Sequence, residues 1–378
     1  MRTAFVNGRV LTDAGLEEGL AVVVDGERIA EVAPREAVRL RGAEVVDLEG
    51  NLLLPGFIDI QVNGGGGVLF NDTPTVEAIA EIGRVHRQFG TTGFLPTLVS
   101  DDLDVVAEAI AATREAIAKG VPGVLGLHIE GPFLNEARRG VHDASKIRTL
   151  DDEAFRLLTT PTGGRTLITL APEKTTPQMV RALTKAGVIV SAGHSDATYA
   201  QVREALAAGL TGFTHLFNAM SQLTVREPGV VGAALEDENS WCSIIVDGHH
   251  VDPVVLRLAM RVKRHDRFLL VTDAMPSVGA QIESFSLLGR RIAVRDGMCV
   301  GEDGTLAGSN IDMAAAARNA IHLLRLDPVT AMCMASTCPA AFLGLSHAHG
   351  AIAPEYRADL VAADNLFRVQ RVWIGGAL

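Results

Sequence analysis

Glu130, His194 and His215 are the side chains of this sequence with the most chemistry to offer together. Two imidazoles and one carboxylate make the ligand set of a catalytic zinc, in which a fourth position stays open for a water whose pKa falls to about 7. Zinc fits first, and iron, cobalt or manganese fit the same donors, because geometry and availability decide as much as affinity. Asp273 closes the stretch Val271-Thr272-Asp273-Ala274. An unpaired carboxylate behind an apolar run is costly unless a metal, a cation or water lies near. Its natural work beside a metal is to accept a proton from the attacking water and hand it to a leaving amine.

These residues share a position as well as a chemistry. Glu130 follows the apolar run 124–129, Glu173 follows 167–170, His194 follows 188–192 and His215 follows 212–214. His249 and His250 follow 243–246, and Asp273 follows 268–271. Side chains at the same end of successive parallel strands converge on one mouth, which is where a (β/α)8 barrel keeps its active site.

The elements that must hold them are legible from residue 52 onward. Strands are expected over 53–60, 93–98, 124–129, 167–170, 188–192, 212–214, 243–246 and 268–271, eight in all. Helical stretches alternate with them over 75–89, 103–119, 176–186, 197–208, 253–263 and 313–324. That alternation implies a parallel sheet with helices packed on it. A dinucleotide-binding sheet would want a glycine-rich turn opening a helix after its first strand. Asn63-Gly64-Gly65-Gly66-Gly67 lacks that spacing and reads as a flexible loop at the barrel mouth.

Residues 1–51 read differently. Strand, tight turn and strand are expected over 4–6, Asn7-Gly8 and 9–11, and again over 20–24, Asp25-Gly26 and 28–32, with a further strand over 43–48. These are too few to close a sheet over a core, and 358–363 and 371–374 supply similar pieces. The expectation is therefore a small β-sandwich built from both termini, residues 1–51 and 347–378, flanking a TIM barrel of 52–346.

Composition bounds the function. The 378 residues are 48% hydrophobic with a formal charge of −11, which argues against nucleic acid or an anionic membrane as partner. Any anionic substrate then needs a local basic site. Cys242, Cys299, Cys333 and Cys338 form no CxxC pair and read as reduced thiols in a cytoplasmic protein. Residues 1–15 hold no apolar signal region, and no uncharged apolar run reaches the ~18 residues of a membrane span.

Several motifs carry a resemblance. Pro55-Gly56-Phe57-Ile58-Asp59-Ile60-Gln61-Val62-Asn63-Gly64 is similar to the first-strand signature of the amidohydrolase superfamily, with Gln61-Val62-Asn63 where many members carry His-x-His for a second metal. With His128-Ile129-Glu130-Gly131-Pro132, Gly193-His194-Ser195, Thr214-His215-Leu216-Phe217-Asn218-Ala219-Met220, Arg226-Glu227-Pro228-Gly229, Asp247-Gly248-His249-His250 and Gly304-Thr305-Leu306-Ala307-Gly308-Ser309, the chain resembles the N-acetylglucosamine-6-phosphate deacetylase family nearly end to end. The resemblance implies one divalent metal per subunit on Glu130, His194 and His215, and Asp273 as general base and then acid. It implies His250 as hydrogen-bond donor to the acetamide carbonyl, and no role for His249. His142, Asn218, Ala219, Gln61 and Asn63 fall among its substrate and phosphate contacts. Arg226 matches an arginine that reaches the phosphate in the neighbouring subunit, which implies a homodimer. An arginine fork also suits a phosphate dianion on general grounds. The reaction so implied is hydrolysis of a linear amide, N-acetylglucosamine 6-phosphate giving glucosamine 6-phosphate and acetate, in amino-sugar metabolism. N-acetylgalactosamine 6-phosphate differs by one hydroxyl configuration and is the alternative. A cyclic amide hydrolase is a more distant one, opposed by Gln61 and Asn63.

Overall fold

The computed structural model describes residues 2–378. Its centre is one eight-stranded parallel sheet, in the order β1 (Phe57–Val62), β2 (Thr91–Val99), β3 (Gly126–Glu130), β4 (Arg165–Leu170), β5 (Ile189–Ala192), β6 (Gly212–Phe213), β7 (Trp241–Ile244) and β8 (Phe268–Leu270). Sequential strands pair with sequential strands throughout, so the sheet curls into a (β/α)8 barrel. The bridge Val62–Ala274 brings its last strand round to its first.

Helices α1 (Val76–Arg87), α2 (Leu103–Ala118), α3 (Asp152–Leu158), α4 (Pro177–Lys185), α5 (Tyr199–Ala208), α6 (Gly229–Glu236), α7 (Pro253–Val262) and α8 (Met313–His322) follow the strands. Local sequence starts them. Thr75, Asp151, Thr176, Thr198, Asp252 and Asp312 each accept a first-turn backbone N–H, and Thr198 with Gln201 forms a full capping box. The core between helices and sheet is aliphatic, with Leu127, Ile129, Ile168, Leu170, Val190 and Leu183 all buried. Helices α3 and α6 were not legible in the periodicity. The α6 stretch GVVGAALE is apolar on all sides, six of its eight residues being buried, so it has no amphipathic signature to read.

Both termini build a second, smaller β unit. One sheet runs 28–34, 20–25, 2–6, 44–47, and the other runs 369–373, 360–363, 52–55, 9–12, 15–17. Phe5, Val22, Val24, Leu53, Leu360 and Trp373 fill the space between them, and Phe5 meets Trp373 edge to face at 4.8 Å. The hairpin expected at Asp25-Gly26 is present. The one expected at Asn7-Gly8 is not: strands 2–6 and 9–12 lie in different sheets, and only Asn7 takes the positive φ, 58°.

The strand expected over 53–60 is also divided. Leu52–Pro55 pairs with terminal strands, whereas Phe57–Val62 opens the barrel. A Cβ at Gly56 would stand 2.0 Å from Thr92 Oγ1, so only glycine passes the chain between the two. We infer from this that the small unit reaches Pro55, with its boundary at Gly56. The run Gly64–Gly67 is no flexible loop. Gly64–Gly65 pairs antiparallel with Val68–Leu69, and Gly66 and Gly67 turn between them at φ of 62° and 86°. A further antiparallel sheet over 284–309 follows β8 and carries Thr305, Leu306 and Gly308 to the barrel mouth.

Candidate active site

All six positions singled out by the apolar runs fall at or just past the C-terminal ends of barrel strands, but not all turn inward. Glu130, His142, His194, His215, Asn218, Ala219, His250 and Asp273 line one cavity of about 360 Å³ there. His194, His215 and Asp273 leave their strands in the left-handed region, at φ of 48°, 36° and 53°. That conformation is costly for residues with a Cβ and collects at functional sites. Here it swings three side chains from strand ends into the mouth.

Three ligand atoms meet in the cavity. Glu130 Oε1 lies 3.2 Å from His194 Nε2 and 2.9 Å from His215 Nε2, and the two Nε2 atoms are 3.1 Å apart. His194 Nδ1–H donates to the Arg138 carbonyl at 2.9 Å, which leaves its Nε2 lone pair facing the other two atoms. A lone pair, a carboxylate oxygen and a second imidazole nitrogen at such spacing repel unless positive charge lies among them. The residues present therefore fit a divalent cation in a three-ligand site. Burial opposes charge on His215, yet the Glu130 carboxylate raises its pKa above the usual value. Burial would likewise raise Glu130, but both imidazoles hold it well below the usual carboxylate range.

Asp273 is buried beside this group. Burial first, and then the charge of Glu130, push its carboxyl up to about 6. Asn63 Nδ2 donates to its Oδ1 at 2.6 Å, and Gln61 Nε2 bridges Asp273 Oδ1 and Glu130 Oε2 at 3.2 and 3.1 Å. Gln61 and Asn63, expected among the substrate contacts, are thus buried groups that hold Asp273 and Glu130 and do not line the cavity. Their neutral amides put donors between two carboxylates, where a histidine pair would invite a cation.

His250 presents a second dyad. Its Nδ1–H donates to Asp247 Oδ2 at 2.6 Å, and the backbone N–H groups of His249 and His250 donate to Asp247 Oδ1 at 2.8 and 2.9 Å. Burial would raise Asp247, but these bonds bring its carboxyl down to about 2. Asp247 stands three residues before His250 in the quoted motif. That spacing was the available signal of its orienting role. His249 itself is exposed.

His142 accepts at Nδ1 from Ser100 N, 3.3 Å, with Ser100 Oγ at 2.7 Å. Burial, helped by His194, pushes its pKa down to about 3. A neutral imidazole whose Nδ1 accepts carries its proton on Nε2, so His142 offers the cavity an N–H donor without a charge. Of the residues that end apolar runs, Glu173 does not enter the cavity. Glu173 turns aside and accepts from Asn135 Nδ2, Ser195 Oγ and Asp196 N at 2.7–2.8 Å, tying the loops after β3 and β5 together. Arg226 is exposed in the loop after β6 and is not part of its own chain's cavity wall.

Barrel and mouth together define a metal-assisted hydrolase of the type that gathers His and carboxylate ligands at strand ends. Residues 52–378 match the family model described as the amidohydrolase family, and the chain belongs to that family. It is 43% identical over 372 residues to the N-acetylgalactosamine-6-phosphate deacetylase of Shewanella sp. (strain ANA-3), covering 98% of this chain and 94% of that protein. It is 35% identical to the N-acetylglucosamine-6-phosphate deacetylase of Haemophilus influenzae, covering 100% and 99%. The crystal structure of N-acetylglucosamine-6-phosphate deacetylase from Pasteurella multocida superposes with a TM-score of 0.96 at 37% identity, covering 100% of this chain and 99% of that one.

Proposed function

We propose that the protein hydrolyses the acetamide of N-acetylglucosamine 6-phosphate, releasing acetate and glucosamine 6-phosphate. The observation that carries this reading is the convergence of Glu130 Oε1, His194 Nε2 and His215 Nε2 in one cavity with Asp273 and His250. Glu130, His194 and His215 would hold one divalent metal, zinc first, with iron, cobalt and manganese fitting the same donors. When bound it supplies a Lewis acid and an acidified water.

The chain's own groups do the rest. Asp273, aimed by Asn63 and Gln61, takes the proton of the attacking water and later gives it to the departing amine. His250 can donate from Nε2 to the acetamide oxygen only as an imidazolium, because Nδ1–H is already committed to Asp247. The Asp247 carboxylate is what stabilises that charge where the oxyanion develops. His142, as a neutral donor, and Asn218 and Ala219 orient the sugar.

The phosphate calls for a cation, and we assign Arg226, delivered from a second subunit. Its loop exposes Leu223 and Val225, and α7, after the next strand, exposes Val254, Leu258 and Val262 along one face. Apolar surface on that scale favours burial against a copy of the chain. A cytoplasmic location accords with four free cysteines, three of them buried. Among the described residues no helix is long and apolar enough to cross a membrane.

A second reading, the same reaction on N-acetylgalactosamine 6-phosphate, is favoured by the 43% identity to the Shewanella protein. Acetate release from the two sugar phosphates in parallel, on metal-quantified protein, decides between them by the larger kcat/KM. Release from neither would refute both.

A further inference from the structure

The seam between the last and first barrel strands is made differently from the others. Neighbouring strands from β1 to β8 share registered ladders, down to two residue pairs at the short β6. Between β8 and β1 the backbone supplies one isolated bridge, Val62–Ala274, with bonds from Asp273 N to Gln61 O at 3.0 Å and from Asn63 N to Ala274 O at 2.9 Å. Beneath these the seam is closed by a side chain. Asp59, with no exposure at all, accepts from Thr272 Oγ1 at 2.5 Å and from Thr272 N at 3.3 Å. Within its own strand it accepts from Gln61 N at 3.2 Å.

A buried carboxyl with no cation beside it is an expensive way to join two strands. Burial first, with a small push from the Asp273 charge, raises its pKa to about 7 against the hydrogen bonds from Thr272 and Gln61. Its two grips explain the arrangement. Thr272 immediately precedes Asp273, which sits in a left-handed conformation that its surroundings must enforce. Gln61 accepts the Asp273 N–H and also donates to its carboxylate. Ser309 completes the cradle, its Oγ donating to the Thr272 carbonyl at 2.5 Å and its N–H to the Asp273 carbonyl at 2.9 Å.

We propose that Asp59 is a positioning residue for the deacetylation: through Thr272 and Gln61 it holds Asp273 in line with the three ligand atoms. The proposal rests on Asp273 being the proton carrier. It acts through hydrogen bonds and not through charge. An asparagine could replace it, with Oδ1 accepting the two N–H groups and Nδ2 donating to Thr272 Oγ1, whose own proton would turn to the Gln61 carbonyl 3.4 Å away.

The test measures kcat, KM, bound metal and melting temperature for the wild type and for Asp59→Ala, Asp59→Asn, Thr272→Val and Thr272→Ser, assayed well below the lowest melting point. Asp59→Ala and Thr272→Val should lose on the order of 10²-fold in kcat, the cost of misplacing a catalytic group by about 1 Å. Their KM should stay within about twofold, with full metal content. Asp59→Asn and Thr272→Ser should stay within about fivefold of wild type. If Asp59→Ala does not fold, the Thr272 pair decides alone. An unimpaired Thr272→Val, a rise in KM or loss of metal in place of the fall in kcat, or an Asp59→Asn as poor as Ala overturns the clamp. A metal-loaded wild type that releases no acetate overturns the deacetylation reading, and the clamp with it.

Discussion

Asp247→Asn isolates the electrostatic part of the mechanism. The Asp247 Oδ2–His250 Nδ1 contact is 2.6 Å long and its two side chains are 6% and 7% exposed, so solvent screens it little. The substitution keeps size and shape. It removes the charge and puts an amide where Nδ1–H now finds a carboxylate. A hydrogen bond to a charged group contributes about 1.5–3 kcal/mol. If that stabilisation is felt mainly when the oxyanion forms, kcat should fall about ten- to a hundredfold, at ~1.4 kcal/mol per tenfold. KM should change little, because His250 meets the substrate at the reacting carbonyl and not at the remote phosphate. Steady-state acetate release gives both constants. The double variant with His250→Asn supplies the sharper reading: Asp247→Asn should cost nothing further once His250 is gone. A kcat within twofold of wild type, or losses that multiply in the double variant, would refute the dyad.

Four further outcomes follow from the geometry. Asp273→Asn should lower kcat by about 10²–10⁴-fold while bound metal stays at the wild-type level, checked by elemental analysis beside the assay. His194→Ala should lose metal and activity together, since it removes one of three ligand atoms. Arg226→Ala should raise KM by about ten- to a hundredfold with kcat nearly unchanged. Mixed and exchanged with Asp273→Asn subunits, it should regain activity, which an arginine acting within its own chain could not do. The Asp59 carboxyl, at about 7 when folded against an ordinary value of 3.8, retains its proton better in the folded chain. Its contribution to stability is full below about pH 4 and is lost as pH rises through 7. Denaturant melts should therefore show Asp59→Asn gaining on the wild type over that interval by on the order of 4 kcal/mol.

The barrel was legible because its strands are short apolar runs spaced by helices, and because each chemical residue had to end one of them. Glu130, His194, His215 and Asp273 were found that way before any geometry. What the sequence hid is what depends on which way a side chain turns. Glu173 ends an apolar run like the others, yet its carboxylate goes to Asn135, Ser195 and Asp196. Gln61 and Asn63 were read as substrate contacts from a motif, whereas burial makes them the frame of Asp273. Nothing in the sequence marks the role of Asp59, since its partner Thr272 is 213 positions away. The divided strand at Gly56 was hidden too, because Leu52–Val62 stays apolar across two sheets and only the space beside Thr92 breaks it. The sheet over 284–309 is built from short strands that are mostly half-exposed, so none of them reads as a buried apolar run.

In the proposed reaction three converged ligand atoms and Asp273 together hydrolyse an acetylated amino-sugar phosphate. The most direct test is acetate release from N-acetylglucosamine 6-phosphate by metal-quantified protein, before chelation, after it, and after zinc is returned. Turnover that disappears with the metal and comes back at one equivalent per chain is the predicted result. Turnover that survives complete removal of metal, or none from a fully loaded protein, would contradict it.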